Sequence, residues 1–141
     1  NDLGSGRIYI WKITLELIEK HPLLGVGTDN LGKTVWNNLT ETSIEFINRK
    51  GVYPDKAHNE YLQIAVTLGI PALIIYLAFL ASIVLPKLKH ILKEETIFIM
   101  LSIIITYAIQ AFFNISTIGV APLFWFSLGF IDNNSLKTKN T

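Results

Sequence analysis

The sequence predicts an all-α integral membrane protein. About three transmembrane helices follow an outer-face loop that carries an amphipathic helix, and the whole reads as a fragment of a larger multi-pass bundle. Three observations predict this. Half of the 141 residues are hydrophobic and the mean hydropathy is +0.41. The apolar residues are concentrated after residue 63, in blocks at 64–85, 96–113 and 118–131, and the first of these is long enough to cross a bilayer. The charges of the first 63 residues are interleaved with one stretch, 7–20, whose apolar positions recur at helical spacing. The chain opens Asn-Asp-Leu-Gly and its single methionine is Met100, so the expectation is the C-terminal piece of a longer protein. The expected division is an extracytoplasmic loop at 1–63, transmembrane helices at 64–131 and a cytoplasmic tail at 132–141.

The net charge is +1, too small a field to attract a polyanion, so nucleic acid is not an expected partner. The absence of cysteine excludes disulfides and thiolate metal sites. No group of His, Asp and Glu has metal-ligand spacing, and no cofactor is expected.

Residues 1–6 are turn-forming and offer Asp2 or Ser5 as a helix cap. In RIYIWKITLELIEK, residues 7–20, Trp11, Leu15 and Ile18 define a stripe that Ile10, Ile13 and Leu17 widen. Glu16 and Lys20 form an i,i+4 pair on the other face. Fourteen residues that include Lys12, Glu16, Glu19 and Lys20 cannot span, so this helix belongs at the interface or packed on the spans. His21-Pro22 stops it, because the residue before proline is pushed out of helical geometry. The glycines of LLGVGTDNLG then permit either a C-cap and turn or a loop whose N–H groups face an anion. Residues 28–57 show no compelling helix or strand, and a connection of that length is usually functional. Asp55 is the expected N-cap of a helix that starts at about Lys56 and carries His58 into the first span, interrupted at Gly69 and Pro71 by a kink or a junction of two segments.

Lys87, Lys89 and Lys93 separate the first and second spans, and two lysines mark the tail. A lysine-free turn at 114–117 joins the second span to the third apolar run, which is either a tilted span or a re-entrant segment. The lysine-rich loop and tail then face the cytoplasm, and residues 1–63 lie outside.

Two motifs stand together in this frame. One is Gly6-Arg7-x3-Trp11 followed by His21-Pro22-Leu23-Leu24-Gly25-Val26-Gly27. The other is Ala57-His58-Asn59-Glu60-Tyr61-Leu62-Gln63, then Gly69-Ile70-Pro71. Across roughly residues 5–131 this order resembles the C-terminal part of the O-antigen ligase and O-antigen polymerase superfamily. The resemblance implies a metal-independent glycosyltransferase in the bacterial inner, or plasma, membrane, acting on the outer face. Its implied partners are a polyprenyl-diphosphate-linked glycan donor, a glycan or lipid acceptor, membrane lipid and the upstream helices of the same protein. It implies an essential histidine at His58 and an essential arginine at Arg7, with Trp11 in the apolar place of the arginine motif. The ligase pattern of His-Asn, nine residues and glycine is met by His58, Asn59 and Gly69. The second glycine of that pattern is replaced by Ala72, which favours a polymerase over a ligase.

The chemistry agrees with the residue types. An acceptor hydroxyl needs a base, and histidine is the usual one. A lipid diphosphate needs its charge neutralised, for which the planar, permanently charged guanidinium of arginine is suited. The expected catalytic residues are His58 and Arg7, and the expected substrate-binding residues are Asn59, Trp11, Gly25 and Gly27. A lipid-glycan transporter is the alternative of another class. It would be expected to place ionisable residues within its spans, and the three apolar runs hold none.

Overall fold

A computed structural model describes residues 6–91, 94–116 and 119–137. Every regular element among them is a helix: α1 (Arg7–Lys20), α2 (Leu31–Asn37), α3 (Glu41–Lys50), α4 (Glu60–Leu68), α5 (Ile70–Lys87), a 3-10 turn at Leu88–His90, α6 (Glu95–Phe113) and α7 (Ala121–Lys137). The chain divides into two compact units, Asn1–Ile75 with Phe112–Ile115, and Tyr76–Ala111 with Ser116–Thr141.

The first unit is built around α1. Its buried face is Ile10, Ile13, Thr14, Leu17 and Ile18. The stripe is therefore shifted from the expected one: Leu15 is exposed and Trp11 only partly covered. Ile10, Ile13, Leu17 and Ile18 form one core with Leu31, Val35, Phe46, Ala65 and Val66, each large side chain contributing about 1.5–3 kcal/mol on burial. The helix begins at Gly6, in left-handed geometry and without a capping side chain. The expected caps, Asp2 and Ser5, lie outside the described residues. The expected Glu16–Lys20 pair is replaced by a tertiary bond, in which the Thr42 hydroxyl donates to Glu16 Oε1 at 2.8 Å. At the other end of the same interface Tyr9 donates to Glu45 Oε1 at 3.1 Å, and the Arg49 guanidinium lies over the Tyr9 ring while pairing with Glu45. These contacts run in opposite order along the two helices, so α3 is antiparallel to α1.

Residues 28–57, expected to lack clear structure, contain α2 and α3. A capping box starts α3: the Ser43 N–H donates to the Thr40 hydroxyl, and the Thr40 N–H donates to Ser43 Oγ. Gly51, in left-handed geometry, ends it.

The expected first span divides in two. Gly69, at φ 92° and ψ 164°, ends α4 and begins α5. Residues 64–68 thus belong to the first unit, and the helix long and apolar enough to cross a membrane is Ile70–Lys87. Pro71 falls in the first turn of α5, where its missing N–H costs nothing. A second such helix is Glu95–Phe113, as expected for 96–113. The apolar part of α7, Ala121–Asp132, is shorter.

In the second unit α6 buries Ile97, Leu101, Ile104 and Tyr107 along one stripe, and Tyr107 stacks on Phe124 of α7 at 4.1 Å between ring centroids. Phe124, Ser127, Leu128 and Ile131 form the buried face of α7. The side chains of α5 stay largely exposed, Ile75 at 69% and Leu85 at 60%.

Candidate active site

The two motifs meet through main chain. The Ile70 N–H donates to the Pro22 carbonyl at 2.8 Å, Val26 N–H to Val66 O at 2.7 Å, and Gly27 N–H to Thr67 O at 2.9 Å. The loop after α1 is thereby fastened to the end of α4 and the start of α5. Gly25 N–H donates to the His21 carbonyl at 3.1 Å. The N–H groups of Gly25, Val26 and Gly27 are thus engaged, so the loop offers no backbone donor from these residues to an anion.

The glycines are required by this fit. Gly25 has φ +65°, and a β-carbon there would lie 2.5–2.6 Å from the Thr67 and Val66 main chain. A β-carbon on Gly69 would fall on the Leu23 carbonyl.

His58 is held from both sides. The expected helix from Lys56, capped by Asp55, does not form; α4 starts at Glu60 with Asn59 as its N-cap. Asn59 Oδ1 accepts from the Leu62 N–H at 3.0 Å, and Asn59 is only 2% exposed. Ala57, fully buried, donates its N–H to Gln63 Oε1 at 2.8 Å. Between these two clamps His58 adopts φ 50°, a left-handed conformation that a residue with a β-carbon rarely takes. It therefore precedes the helix rather than lying in its first turn. Its imidazole is half-buried and has no hydrogen-bond partner among the described residues. The role of Gln63 was missed in the sequence; its signal is an amide side chain four residues after an Asn cap, able to reach back over the bend.

Arg7 occupies the first position of α1. No acidic residue lies in that first turn and no side chain among the described residues caps it, so a cation sits at the positive end of a helix dipole. The guanidinium has no hydrogen-bond or ion-pair partner among the described residues. The Lys50 stem passes 3.2 Å from where a Gly6 β-carbon would stand, so a second cation is anchored at this helix end. One turn on, Trp11 meets Phe112 edge to face at 5.5 Å, and its Nε1 is buried without an acceptor among the described residues. A buried donor left unpaired costs about 1–3 kcal/mol.

The structure thus joins the His-Pro-Leu-Leu-Gly-Val-Gly loop to Gly69-Ile70-Pro71, and leaves Arg7 and His58 at the ends of α1 and α4 remote from that joint. α1 and α4 pack against each other.

What these features define is an all-helical protein with two helices long and apolar enough to cross a membrane, and a packed first unit in which a histidine and an arginine stand without hydrogen-bond partners among the described residues. Residues 1–77 match the O-antigen ligase family (Wzy_C). The chain belongs to that family, within the O-antigen ligase and polymerase superfamily, and two of its described helices have the length and composition of membrane spans. No curated protein and no solved structure matches it.

Proposed function

We propose that this chain carries the reaction centre of a metal-independent membrane glycosyltransferase that joins polyprenyl-diphosphate-linked repeat units on the outer face of the bacterial inner, or plasma, membrane. The observation that carries the reading is the state of Arg7. A guanidinium at the uncapped N-terminus of α1, with no acid in the turn and no partner among the described residues, is electrostatically unfavourable until an anion arrives. A lipid diphosphate is such an anion, and it emerges from the bilayer at the level of this unit.

In the proposed reaction the acceptor hydroxyl oxygen attacks the anomeric carbon of the donor sugar. The His58 imidazole takes the hydroxyl proton. The bond between the anomeric carbon and the diphosphate oxygen breaks, and its electron pair leaves with the lipid diphosphate. Arg7 neutralises that leaving group bidentately. The products are a new glycosidic bond and a free polyprenyl diphosphate, and His58 returns its proton to solvent. Asn59 and Gln63 act as positioning residues for the bend that presents His58. Gly25 and Gly27 act through the loop they allow, and Trp11, one turn after Arg7, shapes the donor site through its packing on Phe112. In the proposed topology α5 and α6 cross the bilayer, α7 forms a third, shorter membrane segment, and residues 1–63 lie outside.

Ala72 in place of the second glycine of the ligase pattern favours the polymerase, in which the acceptor is itself lipid-linked. The second reading is ligation to lipid A-core or to a protein hydroxyl. It is favoured by the His58, Asn59 and Gly69 spacing and by the family's description as ligases.

The test is His58→Ala in the intact protein, followed by electrophoresis of the surface glycan. A polymerase loses its ladder of chain lengths while membrane insertion is retained. A normal ladder rejects the base assignment, and loss of attachment with chain length intact selects the ligase.

A further inference from the structure

We infer that the tip of the loop between α1 and α2, Leu23 and Leu24 with the flanking Lys20 and His21, is a lipid-inserting wedge that seats the outer unit on the bilayer. The inference rests on the membrane topology proposed above.

Leu23 is 70% and Leu24 85% exposed, the second more than any other large apolar side chain of the described chain. Such exposure on a mobile tip would mean little, but this tip is fastened. Its carbonyl at Pro22 accepts from Ile70, its far side is hydrogen-bonded to Val66 and Thr67, and the Leu23 carbonyl fills the space of the missing Gly69 β-carbon. Two leucines are therefore held outward in a fixed position, with no compensating contact, at a cost that folding alone does not explain.

Their depth follows from α5. A helix of 18 residues reaches about 27 Å at 1.5 Å per residue, against a hydrocarbon core about 30 Å thick. Such a helix has no length to spare, so its first residue must sit at the hydrocarbon boundary. That residue is Ile70, and the Pro22 carbonyl is 2.8 Å from its nitrogen. Leu23 and Leu24 therefore emerge at the boundary itself, where an apolar side chain gains by entering the acyl region. The neighbouring residues fit the same surface. Lys20 and His21 are both exposed, and a lysine at this level holds its ammonium among the headgroups while its stem lies on the lipid. Leucines flanked on the polar side by basic groups match a lipid surface better than the interior of a protein interface, where charge is depleted.

The 141 residues contain no cysteine, so Leu23→Cys and Leu24→Cys each create one labelling site within them. The intact protein, reconstituted in nanodiscs, is labelled with an environment-sensitive fluorophore and quenched in turn by iodide in water and by lipids spin-labelled near the headgroup. Ile75→Cys and Leu77→Cys report on the span. Strong quenching of positions 23 and 24 by the lipid probe, with weak iodide quenching, is the expected result. Iodide access at 23 and 24 with shielding at 75 and 77 overturns the wedge and leaves the span intact. Shielding of 23 and 24 from both quenchers also overturns it, because the tip is then covered by protein. Iodide access at all four positions defeats the membrane topology itself.

Discussion

The main-chain nitrogen of Ile70 donates a hydrogen bond to the carbonyl of Pro22 at 2.8 Å. This bond ties the first residue of a membrane-length helix to the loop that ends α1. It makes a single joint of two motifs that are distant in sequence, and the glycines on either side let the backbones close to contact. A joint made of main chain is insensitive to most side-chain changes and acutely sensitive to any added β-carbon.

Gly69→Ala should therefore be the most damaging single-methyl change in the first unit. Two costs add. Its φ of 92° and ψ of 164° lie in a region used almost only by glycine, a cost of about 1–3 kcal/mol, and the new methyl would occupy the position of the Leu23 carbonyl. Gly51→Ala is the matched control. It also has positive φ but nothing within 4 Å of the added carbon, so it should cost only the backbone term. Thermal unfolding of the two variants in detergent, side by side, separates the contributions. Equal losses would show that the Leu23 carbonyl moves aside freely.

Most of this architecture was legible in the residues, for reasons that differ from place to place. The helix at Arg7–Lys20 was plain because helical periodicity and the His21-Pro22 stop agree. Its buried face was shifted, since Thr14 is covered by tertiary neighbours that no local pattern shows. The two helices between 28 and 57 were missed because the capping box of α3 uses Ser43 in place of the usual Glu or Gln, and because α2 has seven residues, too few for periodicity to emerge. The backbone at His58 differs from the expected helix because Asp55 and Asn59 are both good N-caps, and only the buried Ala57, bonded to Gln63, decides for Asn59. The glycine loop was read with two meanings, anion cradle or turn. Its hydrogen bonds to Val66 and Thr67 depend on a segment 40 residues away, which local sequence cannot report.

Asn59 should matter through its cap. Asn59→Ala removes the acceptor of the Leu62 N–H and should cost about 0.5–2 kcal/mol, with loss of glycan transfer as the His58 bend relaxes. Asn59→Ser keeps a capping oxygen and should recover most of the stability. If activity follows stability across the three variants, Asn59 is a positioning residue. If Asn59→Ser is stable yet inactive, the amide makes a direct contact with substrate.

Arg7→Lys should retain the charge and lose the planar fork. Under the proposed mechanism the substitution lowers kcat more than it raises KM for the lipid-linked donor, because the diphosphate gains charge chiefly as it departs. Thermal stability should be little changed, since Arg7 has no partner among the described residues to lose. Steady-state kinetics with a defined polyprenyl-diphosphate oligosaccharide reads the split, and unchanged kcat would remove Arg7 from the leaving-group site.

Tyr61 gives the first unit an alkaline limit. Burial, and then the neighbouring Glu60 carboxylate, raise its phenol above the ordinary value of 10.0. Because the folded phenol holds its proton more tightly than the unfolded one, its contribution to stability is complete below pH 10 and is lost as pH climbs from there through the folded value. Tyr61→Phe should abolish this share of the alkaline loss, and Glu60→Gln should reduce it, since only the smaller of the two causes is removed. Unfolding midpoints for the three proteins, taken from pH 8 to 11, should run parallel at the low end and change in spacing above 10, with the wild type falling furthest from its own pH 8 value. Parallel curves for wild type and Tyr61→Phe would mean that Tyr61 has no part in the alkaline loss, and that the phenol near the His58 bend is solvated.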